Sequence, residues 1–315
     1  MLNPQDSKKY RQIIEQVYPG FFERLPYYSK SIDETHELLG KDFFDKIRYS
    51  NEQYNEKLSE REILNLAYTF LKRVNIGISS EFAEKARNNE IKFIKDNDVR
   101  VGGNANYKSE NGTTAINIKY TGNLIDASVV LHEFMHSKTN KFGGNTLSEK
   151  AENKKYQEEL SIMIELCFAK FLLGINKYKS DAIKILNYRF RNALLSSPGA
   201  MQTKQLALYY ADNNMPQSSF EDKFGDRLKK VEYDIKNFIP FDIEEYYLGT
   251  MSAVENIRNE NEIEKLNQIF KLIEQNDFEN VKKIAPISYN AKRDSNNLLE
   301  FYKLFEDKCK ERDDT

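Results

Sequence analysis

The chain has 315 residues, 40% hydrophobic and 30% charged, with a mean hydropathy of −0.70, so one large domain or two smaller ones can bury a core, and no apolar run reaches bilayer-spanning length. Lys and Arg number 47 against 49 Asp and Glu, a net charge of −2. The electrostatic footprint of a nucleic-acid binder is therefore absent.

The first residues, Met1-Leu-Asn-Pro-Gln-Asp-Ser7, carry no apolar core of a secretory signal. Helical periodicity predicts helices over 6–18, ending before Pro19-Gly20, then over 30–48 and 59–73. The third turns Ile63, Leu64, Leu66, Ala67, Phe70 and Leu71 inward. His36, in the polar stretch Asp33-Glu-Thr-His-Glu, reads as an exposed helix residue. Residues 92–120 are the β-region, a small antiparallel sheet with Ile116 and Ile118 on one face and a turn at Asn111-Gly-Thr113. A turn at Thr121-Gly-Asn precedes a helix from Leu124. A polar loop over 138–150 leads to helices at 155–175, 179–194, 201–212, 218–236, 244–274 (with a break) and 294–311, then a mobile tail over 311–315. The lysine pairs Lys229-Lys230 and Lys282-Lys283 read as solvated helix faces. Cys167 reads as a core residue and Cys309 as part of a charged tail, so no disulfide is expected, which fits a cytoplasmic protein.

Residues 131–137 read Leu-His-Glu-Phe-Met-His-Ser, an H-E-x-x-H pattern at His132, Glu133 and His136. Only three histidines occur in the chain, and two of them lie here. At i and i+4 they share one helix face, where both imidazoles can ligate one zinc ion, while Glu133 is placed to act on the water that the metal activates. Ile125, Val129, His132 and His136 fall on one side of a mostly apolar helix, so the motif is expected to be buried. Buried imidazoles and a buried carboxylate need partners, and a metal ion satisfies all of them.

A catalytic zinc site takes three protein ligands, and no further histidine is placed to serve, so the third is expected to be a carboxylate. The next strongly apolar helix, Gln157 to Leu173, contains Glu158, Ser161 and Glu165 at i, i+3 and i+7. Glu158 is the expected ligand and Glu165 the acceptor that orients a histidine. Glu159, rotated about 100° away, is the reserve candidate.

Together these residues resemble the thimet oligopeptidase and oligoendopeptidase F family of zinc peptidases, the gluzincins whose third ligand is a glutamate. The likeness covers about residues 60–260 and rests on Tyr120-Thr-Gly-Asn, Asp126, the H-E-x-x-H segment and the spacing Glu158-x-x-Ser161-x-x-x-Glu165. Glu245-Tyr-Tyr-Leu-Gly-Thr-Met-Ser-Ala-Val254 is similar to the family's tyrosine-rich block, and Arg100-Val-Gly-Gly-Asn-Ala-Asn-Tyr107 to the segment beside its substrate-binding edge strand. The chain is shorter than typical members, so the long helical N-terminal half is expected to be mostly absent. It also lacks the histidine that members carry near the tyrosine block, since none follows His136.

The resemblance implies a mainly α fold, a helical zincin-like catalytic domain with a small antiparallel β-sheet before the motif helix. The whole chain is expected to form one domain, with an N-terminal helical part over 1–58, a catalytic core over 59–260 and C-terminal helices over 261–315. The implied activity is hydrolysis of internal bonds of oligopeptides using one zinc ion on His132, His136 and Glu158. Glu133 would be the general base, Tyr246 or Tyr247 the donor to the developing oxyanion, Asp126 and Glu165 outer supports of the site, and Gly102, Gly103 and Asn104 contacts for the substrate backbone. Peptide is the expected partner, with no nucleic acid and no membrane. Alternatives remain open from sequence: a protease dedicated to one protein target, a zinc protein that binds partners without catalysis, or a helical scaffold without metal.

Overall fold

A computed structural model describes residues 2–48, 57–95, 101–108, 113–215, 227–239, 243–258 and 261–311. Helices α1 (Pro4–Val17), α2 (Phe21–Arg48), α3 (Glu60–Val74) and α4 (Ile76–Arg87) lead into strands β1 (Ile91–Ile94), β2 (Gly103–Lys108) and β3 (Thr113–Lys119). Then come α5 (Ile125–Thr139), α6 (Leu147–Leu173), α7 (Lys179–Arg191), α8 (Ser197–Asp212) and α9 (Arg227–Lys236). The series continues with α10 (Leu248–Ile257), α11 (Glu262–Glu274), α12 (Phe278–Ile284) and α13 (Ala291–Lys310). Two π-helical turns, Asn192–Ser196 and Ile243–Tyr247, run directly into α8 and α10. The mainly helical fold with a small sheet ahead of the motif helix is as expected.

The sheet differs in one respect. Its order is β1-β3-β2, and while β2 and β3 are an antiparallel pair, β1 lies parallel to β3 with Ile91 opposite Ile116. Alternation of residue types identifies a strand but carries no direction. Because β2 already occupies one edge of β3, β1 must take the other, in the sense that α4 delivers it. Ile116 and Ile118 are both fully buried on one face.

Two helices were not foreseen, and two others start early. α4 contains Gly77, Ser79 and Ser80, which read as breakers, but Asn75 caps it by accepting from the Ile78 amide at 3.0 Å. α12 is a single short element capped by Asp277. α6 begins at Leu147 because Thr146 and Glu149 form a capping box, each side chain accepting from the other's amide. α2 begins at Phe21 and passes through Pro26, with its break at Gly40, where φ is +73°. Arg100, Asn111-Gly112, residues 218–226 of a predicted helix, residues 259–260 and the tail past Glu311 lie outside the described residues.

The site is positioned by α5 and α6. Every residue of α5 from Ile125 to Met135 is buried, as is every residue of α6 from Gln157 to Ala169. The two pack on each other, α10 covers another side of α6, and α3 with β2 and β3 covers α5. Each fully buried Leu, Ile or Phe here contributes about 1.5–3 kcal/mol, so this pair anchors the core. No helix among the described residues is long and apolar enough to cross a membrane.

Candidate metal centre and active site

Where α5 and α6 meet, polar side chains occur as partners of one another. His132 and His136, one turn apart on α5, converge with Glu158 of α6 so that one ligand atom from each lies within 4.8 Å of the others. The two Nε2 atoms face each other at 3.0 Å. Glu158 Oε2 stands 3.5 Å from His132 Nε2, and Oε1 stands 3.4 Å from His136 Nε2. These three residues could hold a metal ion.

Glu159 goes elsewhere. One step round the helix, its Oε1 accepts from Asn256 Nδ2 of α10 at 2.7 Å, and burial pushes its carboxyl up to about 8. It is no longer a candidate ligand.

A shell of hydrogen bonds fixes His132. Glu165 Oε1 accepts from the ring's Nδ1 at 2.5 Å, while Oε2 accepts from Ser128 Oγ and Arg189 Nε, each at 2.7 Å. A second guanidinium nitrogen of Arg189 pairs with Oε1. Burial would push Glu165 up, but Arg189 and His132 hold it below the ordinary carboxylate range. The ionised carboxylate can only accept, so Nδ1 carries the proton and Nε2 is left to face Glu158 and His136.

The donor set fits a metal. Glu158 Oε2 is buried and accepts no hydrogen bond, an expensive arrangement unless a cation lies against it. Two buried acids, Glu158 and Glu165, face two imidazoles and one guanidinium, and the gap between Glu158 and the two Nε2 atoms is where a cation would sit. A divalent cation held by two imidazole nitrogens and a carboxylate oxygen is the chemistry such a set supports.

Glu133, 7% exposed, points into a cavity of about 330 Å³ that His132, Gly102, Gly103, Arg189 and Tyr246 also line. Burial pushes its carboxyl up, and the two histidines partly offset this. The approach of β2 is close: a Cβ on Gly103 would stand 2.8 Å from Glu133 Cγ and 3.0 Å from the Asn117 carbonyl. Gly103→Ala is therefore expected to cost about 1–3 kcal/mol in urea unfolding and to displace Glu133. Gly102→Ala, which meets nothing within 4 Å, should be neutral and serves as the control.

Three expected site residues sit differently. Asp126 does not support the histidines. It braces the turn before α5, accepting from the Thr121 and Gly122 amides at 2.9 and 2.8 Å and from Thr121 Oγ1 at 2.6 Å. An acid in the first turn of a helix is best used on the preceding loop's free amides. Tyr247 is buried away from the cavity, bonded through its hydroxyl to Thr35 Oγ1 at 2.9 Å and to the Tyr289 hydroxyl at 3.1 Å. Asn104 is exposed, its Oδ1 accepting from Asn117 Nδ2 at 3.1 Å, and does not line the cavity. Tyr246 does line it. His36 is not exposed: it is half-buried, with Nε2 3.0 Å from the Leu194 carbonyl and its ring against Phe44.

Arg189 was missed. Its signal was present, since it follows the core positions Ile185 and Leu186 by four and three residues on α7, and a cation on a buried stripe implies a buried acid opposite. Lys230, also in the cavity wall, gave no such signal.

No model of a known protein family matches this chain, and neither does any curated protein sequence. Solved structures do match in fold. A provisionally assigned oligoendopeptidase F from Bacillus anthracis is 16% identical with a TM-score of 0.52, over 98% of this chain and 57% of its own. PZ peptidase A, solved with an inhibitor, is 15% identical with a TM-score of 0.54, over 96% of this chain and 58% of its own. A provisionally assigned peptidase from Chlamydophila abortus is 15% identical with a TM-score of 0.50, over 93% of this chain and 55% of its own. The chain thus has a fold found in peptidases, and it spans little more than half the length of the structures it matches.

Proposed function

We propose that this chain is a zinc-dependent metallopeptidase that hydrolyses internal bonds of oligopeptides, and that its residues form one metallopeptidase-like domain. The carrying observation is the convergence of His132, His136 and Glu158 beside a cavity into which Glu133 points. A zinc ion on those three ligands would supply Lewis acidity, polarising the scissile carbonyl and making a water acidic near neutral pH.

The chain's own residues do the rest. Glu133 takes a proton from the attacking water and returns it to the leaving amine; its raised affinity for protons suits a base working near neutrality. Arg189 holds Glu165, which holds His132 in one tautomer. β2 has no strand on its other edge among the described residues, so a peptide can pair there, with Gly103 giving clearance. The free thiols of Cys167 and Cys309 fit a reducing cytoplasm.

Tyr246, which lines the cavity, is our candidate to donate to the carbonyl oxygen as charge develops. Tyr246→Phe is expected to lower kcat about tenfold. Tyr247→Phe should lose about 1–2 kcal/mol of stability with kcat unchanged, because its hydroxyl serves α2 and not the cavity. Steady-state kinetics beside urea unfolding separate the two.

The test of the whole reading is metal content of the purified protein together with digestion of a mixed peptide library, with and without chelator. One zinc per chain and cleavage that stops on chelation are expected. A protein that binds no zinc, or cleaves equally without it, overturns the reading.

A further inference from the structure

The cavity beside His132 and Glu133 continues. A second cavity of about 450 Å³ adjoins it, and the two share Ser196, Ala200 and Lys230. Lys230, on α9, stands where they meet. The sequence alone presents it as half of a solvated pair, Lys229-Lys230.

Charge is unevenly distributed here. Among the described residues, the second cavity is lined by Arg191, Lys204 and Lys230 and by one acid, Asp234. That acid is engaged by Lys204, whose Nζ lies 3.2 Å from Asp234 Oδ2 and also 3.2 Å from the Ile239 carbonyl. Arg191 lies against the Tyr188 ring, 5.9 Å from its centroid. The exposed Lys230 ammonium is paired with no carboxylate among the described residues. Among the described residues the cations of this wall outnumber its acids, and a concave surface that offers an ammonium group attracts an anionic one.

We propose that Lys230 binds a carboxylate of the substrate within a few residues of the cleaved bond. This rests on the peptidase reading and adds a substrate class to it. Peptides bring such a group in two ways, as the free C-terminal carboxylate or as an Asp or Glu side chain. An extended chain advances about 3.3 Å per residue, and one cavity holds both Glu133 and Lys230, so only a short stretch of substrate separates them. Substrates whose carboxylate falls at that spacing are selected over those that lack it.

The test uses the full zinc-loaded chain carrying Glu133→Gln, so that bound peptide persists. A fluorescein-labelled random peptide pool is prepared with a free C-terminus, with a C-terminal amide, and with an amide after a terminal Glu. Binding is read by fluorescence anisotropy. The free acid is expected to bind about tenfold tighter than the plain amide. That preference should vanish with Lys230→Gln and persist with Lys230→Arg. Tight binding of the Glu-amide form assigns the site to a side-chain carboxylate, and weak binding of it to the chain terminus; either supports the proposal. Equal binding of all forms, or a preference that survives Lys230→Gln, overturns it. Failure of the peptidase reading looks different: the Glu133 protein cleaves no form of the pool, whatever the anisotropy shows.

Discussion

Glu133→Gln is expected to keep one zinc ion per chain and to lower kcat for peptide hydrolysis by about 100- to 10,000-fold. Glutamine matches the glutamate in shape, so the contact with Gly103 and the position of β2 are retained. It leaves His132, His136 and Glu158 untouched, so the metal stays. What it loses is the ability to take a proton in the cavity, the role that the buried, proton-attracting carboxyl of Glu133 is placed to fill. Metal analysis beside single-turnover cleavage reads both halves. His136→Ala is the contrast, since it should lose activity and metal together. Wild-type turnover in Glu133→Gln would remove the base from the mechanism.

Arg189→Met has the second largest expected effect, and it acts on a residue outside the proposed metal ligands and base. Its guanidinium, buried at 8% exposure, balances Glu165. Methionine fills much of the space but leaves that carboxylate in the core without its main cation. Breaking a buried pair in this way costs about 3–5 kcal/mol. Loss of the anchor behind Glu165 should also loosen His132 and weaken zinc binding about 10- to 100-fold. Adding Glu165→Gln to Arg189→Met should recover part of the stability, because the unpaired charge is gone, but not the zinc affinity, because His132 then lacks its anionic partner. Urea unfolding and zinc titration of both variants separate these effects.

Much of the site was legible because it is written in helical spacing. His132 and His136 at i and i+4, and Glu158 with Glu165 seven residues on, are periodic patterns inside segments too apolar to tolerate lone polar groups. Burial of those segments explains both why the acids need partners and why they stand out. What was not legible depends on contacts between segments or on departures from α-helical pitch. The pairing of Arg189 with Glu165 joins two helices and has no local trace beyond an unusual cation on a core stripe. The choice between Tyr246 and Tyr247 presumes 100° per residue, whereas Ile243–Tyr247 winds as a π-turn. The parallel sense of β1 follows from how α4 delivers the chain, which strand composition does not encode. α4 itself was obscured because its Gly and Ser residues resemble a loop, while the Asn75 cap that offsets them is a single side chain.

The two π-turns have a consequence for how this cleft tolerates change. Asn192 and Ser196 from one, and Tyr246 from the other, all face the cavity. A π-turn is an α-helix carrying one extra residue, so deleting a single position from either would let it relax to regular pitch. The helix beyond would keep its packing, and the re-aiming would fall on the side chains of the turn itself. The lining of the cleft can thus be exchanged by single-codon insertions and deletions, with α8 and α10 left in register with the core. Ordinary helix walls lack that route, and it lets the zinc helices stay fixed while the surface presented to a peptide is rewritten.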